Sequence, residues 1–169
     1  MTRAGRLERD VRRDLILTAA ALVYFRRDPA DVTFDDVARA AGVSRALVYN
    51  YFGDRRGLLR ALGDRARLRL GERIEVQGRH LTPPFARARA HVEMAGDEPE
   101  LYEAAVTLRP LGSGQLDDGW IASTAIAGAV ESVVLAWLRA GRPEPADAVV
   151  SQIAALVEGI ALSCANLVA

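Results

Sequence analysis

The sequence predicts an all-α protein, with a three-helix front unit that contains a helix-turn-helix and a helical domain behind it. Three observations carry that reading. Apolar residues recur at helical spacing along nearly all 169 residues, and strand-like alternation is absent. Two short segments either side of Gly42 each open on their own helix-capping signature. The last two segments carry broad apolar stripes on a 4-3-4 rhythm.

The elements follow in order. A first helix spans about residues 7–27 and contains "ILTAAALVYF" (16–25); it stops at "DPAD", where Pro29 breaks it. Two short helices are expected near 34–41 and 45–51. Thr33 caps the first, with Asp36 three residues on as in a capping box, and Val32 and Val37 are placed as a hydrophobic staple. Ser44 caps the second, with Val43 and Val48 as its staple, and Gly42 between them suits a left-handed turn. A long fourth helix starts after Asp54 and continues into "GERIEVQG". "GRHLTPP" (78–84) marks a boundary, with Thr82 as N-cap and Pro83 at the first helical position. Helices of about 84–95 and 98–108 follow, then a Gly- and Pro-rich loop, "RPLGSGQLDDG" (109–119). Helices of about 119–140 and 146–167, separated by "GRPEP", finish the chain. The domains expected are 1–53 for the helix-turn-helix, 54–80 for the connecting helix and linker, and 81–169 for the rear helical domain.

Charge divides along the same line. Net charge is zero, yet residues 1–80 hold 17 arginines against 11 acids and residues 81–169 hold 5 against 11. A basic front half is the electrostatic footprint of a polyanion partner, and solvated helix faces are the alternative. The N-terminus "MTRAGRLERD" lacks the apolar core of a signal peptide. The one cysteine, Cys164, excludes an internal disulfide. His80 and His91 lie apart, no Cys/His spacing suggests zinc, and no Gly-rich strand-to-helix loop suggests a nucleotide. The expectation is a cytoplasmic non-enzyme that needs no cofactor or metal and no membrane.

Placed on a helical wheel, Val48 and Phe52 face inward, with Tyr51 at the margin. Ala46, Tyr49 and Asn50 fall on the opposite side, with Arg45 on its flank. Arginine contacts guanine edges, asparagine contacts adenine, tyrosine hydroxyls bond phosphates, and alanine permits close approach. Arg55 and Arg56 open the fourth helix, where they and its free amides suit a phosphate. The alternatives are that Tyr49 packs against the first helix, that Arg45 is a solvated side chain, and that Arg55 and Arg56 pair with Asp54.

The run "TFDDVARAAGVS" (33–44), "VYNYF" (48–52) and "DRRGLL" (54–59), with the apolar first helix, resembles the N-terminal DNA-binding domain of the TetR family of transcriptional regulators. The resemblance covers about residues 10–60. It implies a three-helix unit with the third helix in the major groove of double-stranded DNA. It places Thr33, Tyr49, Tyr51 and Arg55 at phosphate-contacting positions, and Arg45, Ala46, Leu47 and Asn50 near base edges; Ser44, the cap, completes the set. Many members carry Gly-Thr where this chain has Ala46-Leu47, and histidine where it has Tyr51. Arg3 and Arg6 suit either a minor-groove arm or a disordered basic tail.

In the rear half, Ile126, Val130, Val133 and Trp137 form one stripe, and Ile153, Leu156, Ile160 and Cys164 form another. The residues themselves allow intramolecular core or a partner surface. The resemblance implies a four-helix interface in a homodimer, matched to a palindromic operator. It also implies an effector cavity, with Phe85, His91, Met94, Tyr102, Trp120 and Ile121 as candidate lining and plain core as the alternative. A small apolar or amphipathic effector and a repressor's mode of action are the corresponding expectations. The rivals are a helical interaction protein without DNA binding and a small helical enzyme.

Overall fold

The structure, a computed structural model, describes residues 3–108 and 120–168. Eight α-helices account for most of them: α1 (Arg3–Arg26), α2 (Phe34–Ala41), α3 (Arg45–Phe52), α4 (Arg55–Gly78), α5 (Pro83–Asp97), α6 (Pro99–Thr107), α7 (Trp120–Arg139) and α8 (Ala146–Val168). No strand occurs among the described residues. The expected "DPAD" break is a short 3-10 turn, Pro29–Asp31, capped by Asp28, whose carboxylate accepts from the Ala30 amide at 2.8 Å.

The chain forms two compact units: Met1–Arg67 with Glu103–Arg109, and Leu68–Tyr102 with Pro110–Ala169. The helix read from sequence as a separate connecting segment therefore contributes residues 55–67 to the first unit and 68–78 to the second.

In the first unit, α1 packs on α2 and α2 on α3. Ile16, Leu17 and Ala20 of α1, Val37 of α2, Val48 of α3 and Leu58, Leu62 and Ala66 of α4 are fully buried. Each arises from helical spacing of apolar residues, so four helices share one core that the two short ones, α2 and α3, could not build alone. Arg65 of α4 ties back to α1, donating to the Asp14 carbonyl at 3.2 Å and the Thr18 hydroxyl at 2.9 Å.

In the second unit, α5 packs on α7 and α8, which pack on each other. Ala88, Val92, Met94 and Ala95 of α5, Val130 and Val134 of α7, and Val150, Ile153 and Ala154 of α8 are buried in the core. Thr82 stands at the α5 N-cap, but its side chain makes no capping bond. Pro84 at the second helical position has no N–H, which removes one of the two donors a cap side chain serves. α5 also runs past Gly96 to Asp97, with Glu98 as its cap. The turn from α7 to α8 takes two left-handed residues, Gly141 (φ 79°) and Arg142 (φ 60°). Arg142 is held there: its amide bonds the Trp137 carbonyl at 2.9 Å, and its guanidinium donates to the Ala95 carbonyl at 3.3 Å.

Among the described residues, His91 is the buried polar side chain of this core, 2% exposed, with Nδ1 3.1 Å from the Tyr102 hydroxyl. Burial, then the nearby Arg87 charge, pushes the imidazole down to about 4, while burial and then Glu131 push Tyr102 upward. The pair is therefore neutral at physiological pH. Below the ordinary histidine value of 6.5 the unfolded chain binds a proton that the folded one refuses. Stability is expected to be fully present above pH 6.5 and to fall toward pH 4, with this histidine contributing a loss of about 3 kcal/mol. Urea unfolding at pH 7.5, 5.5 and 4.5, compared with His91→Gln, isolates that slope; equal slopes would exclude it.

Candidate nucleic-acid interface

The interface is built on two capped helices and a tight turn. Thr33 and Asp36 form a full capping box: the Asp36 amide donates to Thr33 Oγ1 at 3.3 Å, and the Thr33 amide donates to Asp36 Oδ2 at 3.1 Å. The Thr33 hydroxyl also donates to Asp36 at 2.5 Å. Hydrogen bonds from Thr33, then the Arg27 charge at 3.0 Å, hold the Asp36 carboxyl below the usual carboxylate range. The hydroxyl expected at a phosphate is thus already committed within α2. Gly42 closes α2 in the left-handed region at φ 66°, its amide shared by the Ala38 and Arg39 carbonyls. Ser44 then caps α3, accepting from the Leu47 amide at 3.2 Å.

On α3, Val48 is fully buried and Phe52 is 9% exposed, as helical spacing predicts. Arg45, Ala46, Tyr49 and Asn50 are exposed, and Leu47 and Tyr51 are half-buried. Tyr49 combines two of the sequence alternatives. It is 43% exposed, yet its ring lies 4.5 Å from that of Phe34 on α2. Arg45 stacks over the same ring at 5.4 Å and donates to the Tyr49 hydroxyl at 3.3 Å and to Asp35 at 3.0 Å. It is exposed and at the same time partnered by a carboxylate, a hydroxyl and an aromatic face. The Tyr49 hydrogen bond and then the Asp35 charge raise its pKa further.

Arg55 donates to the Ala30 carbonyl at 3.1 Å and lies over the Tyr24 ring at 6.0 Å, joining the start of α4 to the 3-10 turn. Asp54 caps α4, accepting from the Gly57 amide at 2.7 Å. Sequence reasoning missed two further cations. Arg9 lies over the Tyr51 ring and Arg13 over the Phe52 ring, each at 5.7 Å, so α1 lends charge to the C-terminal end of α3. The signal was the run "ERDVRRD", whose arginines stand one helical turn apart.

The rear-domain candidates separate into groups. His91, Met94 and Tyr102 are buried, and Phe85 is half-buried. Two surface clefts lie elsewhere: one of about 450 Å³ lined by Arg69, Arg73, Gln77 and Glu93, another of about 540 Å³ beside Val11 and Leu15. Phe85, His91, Met94 and Tyr102 are not among the described residues that line these two. The side chains of Trp120, Ile121 and Cys164 lie outside the described residues.

The stripes on α7 and α8 also divide. Val130 and Ile153 are buried in the chain's own core, whereas Val133, Leu156 and Leu162 are 40%, 43% and 68% exposed. Ile126 and Ile160 are half-buried. Trp137 closes the turn, its indole donating to the Glu144 carbonyl at 2.9 Å beneath the Arg142 guanidinium. By length and composition alone, Ala146–Ser163 of α8 is apolar enough to cross a membrane. It carries Asp147, paired with Arg89 at 2.6 Å, and Glu158.

Two individually capped helices, a glycine turn and an outward face of Arg, Tyr and Asn define a helix-turn-helix DNA-binding domain. Residues 16–62 match the family model described as bacterial regulatory proteins, tetR family, and this N-terminal domain belongs to the TetR family. The chain is 36% identical over 107 residues to an uncharacterized HTH-type transcriptional regulator, Rv1255c of Mycobacterium tuberculosis, an alignment covering 61% of this chain and 53% of the relative. It is 44% identical over 62 residues to the HTH-type transcriptional regulator AlkX of the same organism, covering 37% of this chain and 28% of that one. The chain thus spans about half, or less, of the length of these curated relatives. A TetR-like transcriptional regulator from Rhodococcus sp. RHA1 shares the fold, with TM-score 0.66 at 23% identity over 95% of this chain and 98% of that structure.

Proposed function

We propose that the protein is a sequence-specific transcriptional regulator, a repressor in its mode of action, that binds a palindromic operator as a cytoplasmic homodimer and is not an enzyme. The observation that carries this is the outward face of α3, where Arg45, Ala46, Tyr49 and Asn50 stand exposed on a TetR-family domain. Arg45 and Asn50 are the base-reading residues of the proposal, with Ala46 and Leu47 beside them. Tyr49, Tyr51, Arg55, Thr33 and Ser44 sit toward the phosphates. Arg55 and Thr33 support this surface through their bonds to Ala30 and Asp36, so they act by shaping it as much as by touching DNA.

Dimerisation is assigned to the outward residues of α7 and α8. Val133, Leu156 and Leu162 are large, apolar and exposed, and a Cβ added at Gly128 or Gly159 would meet nothing within 4 Å. Such small positions permit close helix approach, and a second copy would cover the apolar side chains. A small apolar or amphipathic effector in the second unit would favour one spacing of the two readers over the other, with α4 as the covalent path.

Selection of bound sequences from random duplex DNA tests the reading. A palindromic consensus with half-sites about one helical turn apart is the expected result. Failure to enrich any sequence at low salt would overturn it, since phosphate contacts alone retain duplex there.

A further inference from the structure

Arg45 stands at the first position of α3, the end of a helix where a cation is disfavoured, and the first turn of α3 contains no acid to offset it. The offsetting charge comes from the preceding helix. Asp35 of α2, itself well placed in the first turn of its own helix, holds Arg45 Nη1 at 3.0 Å. Nη2 is held by the Tyr49 hydroxyl at 3.3 Å, and the guanidinium plane rests over a ring that is packed on Phe34. A guanidinium has five N–H donors. Two are used, and the other three remain for an acceptor outside the protein. The group is thus fixed in place by a carboxylate, a phenol and an aromatic face, while still able to make the bidentate contact that reads a base edge.

Asp35 has a second effect. Its side chain is 53% exposed beside the 56% exposed Arg45, so the pair presents little net charge to a phosphate backbone. An arginine without that partner would be drawn to any phosphate in reach, whatever the sequence.

We infer that Asp35 is a positioning residue that orients Arg45 for base reading and withholds its charge from the DNA backbone, and so sets the sequence specificity of the regulator. The inference rests on the duplex-binding reading above. It differs from a capping or packing role for Asp35, because Thr33 and Asp36 already cap α2 and Asp35 is exposed.

Asp35→Asn, compared with wild type across a salt series, tests it on two probes: the duplex recovered by selection and an unrelated duplex of equal length. The variant should bind the unrelated duplex more tightly, by about threefold to tenfold, and its log–log salt slope should steepen by about 0.9, the value for one further neutralised phosphate. Preference for the selected duplex should fall by about tenfold, the scale of one misaligned base contact. In an Arg45→Ala background the same substitution should change neither the slope nor the preference. Unchanged behaviour of Asp35→Asn would overturn the inference, as would equal shifts in both backgrounds, because Asp35 would then act by its own charge. A wild type that binds neither duplex at any salt would overturn the DNA-binding reading and this inference with it.

Discussion

Gly57→Ala is expected to destabilise the front unit by at least about 3 kcal/mol, the range of severe backbone clashes. A Cβ at Gly57 would lie 2.0 Å from the Phe52 carbonyl oxygen and 3.2 Å from its carbon. That carbonyl is turned toward α4 by Gly53, whose φ of 73° and ψ of −66° make a tight γ-turn closed by the Asp54 amide at 2.9 Å. Relief would require undoing the bend or shifting Phe52, which is buried in the core of the unit. Neither atom in the clash belongs to a side chain that can swing away. Gly71→Ala in the same helix is the contrast, since a Cβ there meets nothing within 4 Å. It should stabilise by a few tenths up to about 1 kcal/mol, the ordinary gain in helix propensity. Urea unfolding of the three proteins reads both signs; Gly57→Ala unfolding with wild type would show that the α3–α4 turn yields easily.

Tyr49→Ala should weaken operator binding by about a hundredfold, equivalent to 2–3 kcal/mol, and Tyr49→Phe by about tenfold. The two variants remove different things. Phenylalanine keeps the ring that packs on Phe34 and supports Arg45, and loses only the hydroxyl that Arg45 bonds. Alanine removes the platform as well, so the guanidinium loses its stacking face and regains the freedom that binding must then remove. Fluorescence anisotropy on the selected duplex at fixed salt measures both. Equal losses for the two variants would assign the whole effect to the hydroxyl and none to the ring.

Much of the first unit was legible because its signals are local. Thr33 with Asp36, Ser44 with Leu47, and Gly42 between them act within one or two helical turns, so adjacent residues state the structure they make. The inward face of α3 was legible for the same reason: Val48 and Phe52 are four apart and both buried. Asp54 as a cap was equally local. Thr82 stands at the cap with Pro83 first in the helix, as local grammar states, although its side chain makes no capping bond.

The roles of the charged residues were less legible. Arg55 stands at the start of α4, and nothing in that position announces its bond to the Ala30 carbonyl, twenty-five residues away. Arg9 and Arg13 lie over the rings of Tyr51 and Phe52 although more than thirty-five residues separate them. The stripes of α7 and α8 looked uniform, yet Val130 and Ile153 are core while Val133 and Leu156 face outward. A stripe wider than one contact has two edges, and periodicity cannot say which edge meets the protein's own core.

The sequence by itself determined that this chain is helical, where its front helices begin and end, and which side of α3 holds it in place. Capping, turn formation and helical periodicity are interactions between residues close along the chain, and their residue types declare them. Only the tertiary structure decided that Asp35 holds Arg45, that Tyr49 both packs and stays exposed, and that the Gly53 bend carries the Phe52 carbonyl onto Gly57. Those depend on how separate helices meet, and the partner of an arginine or the neighbour of a carbonyl is set by that packing rather than by spacing along the chain.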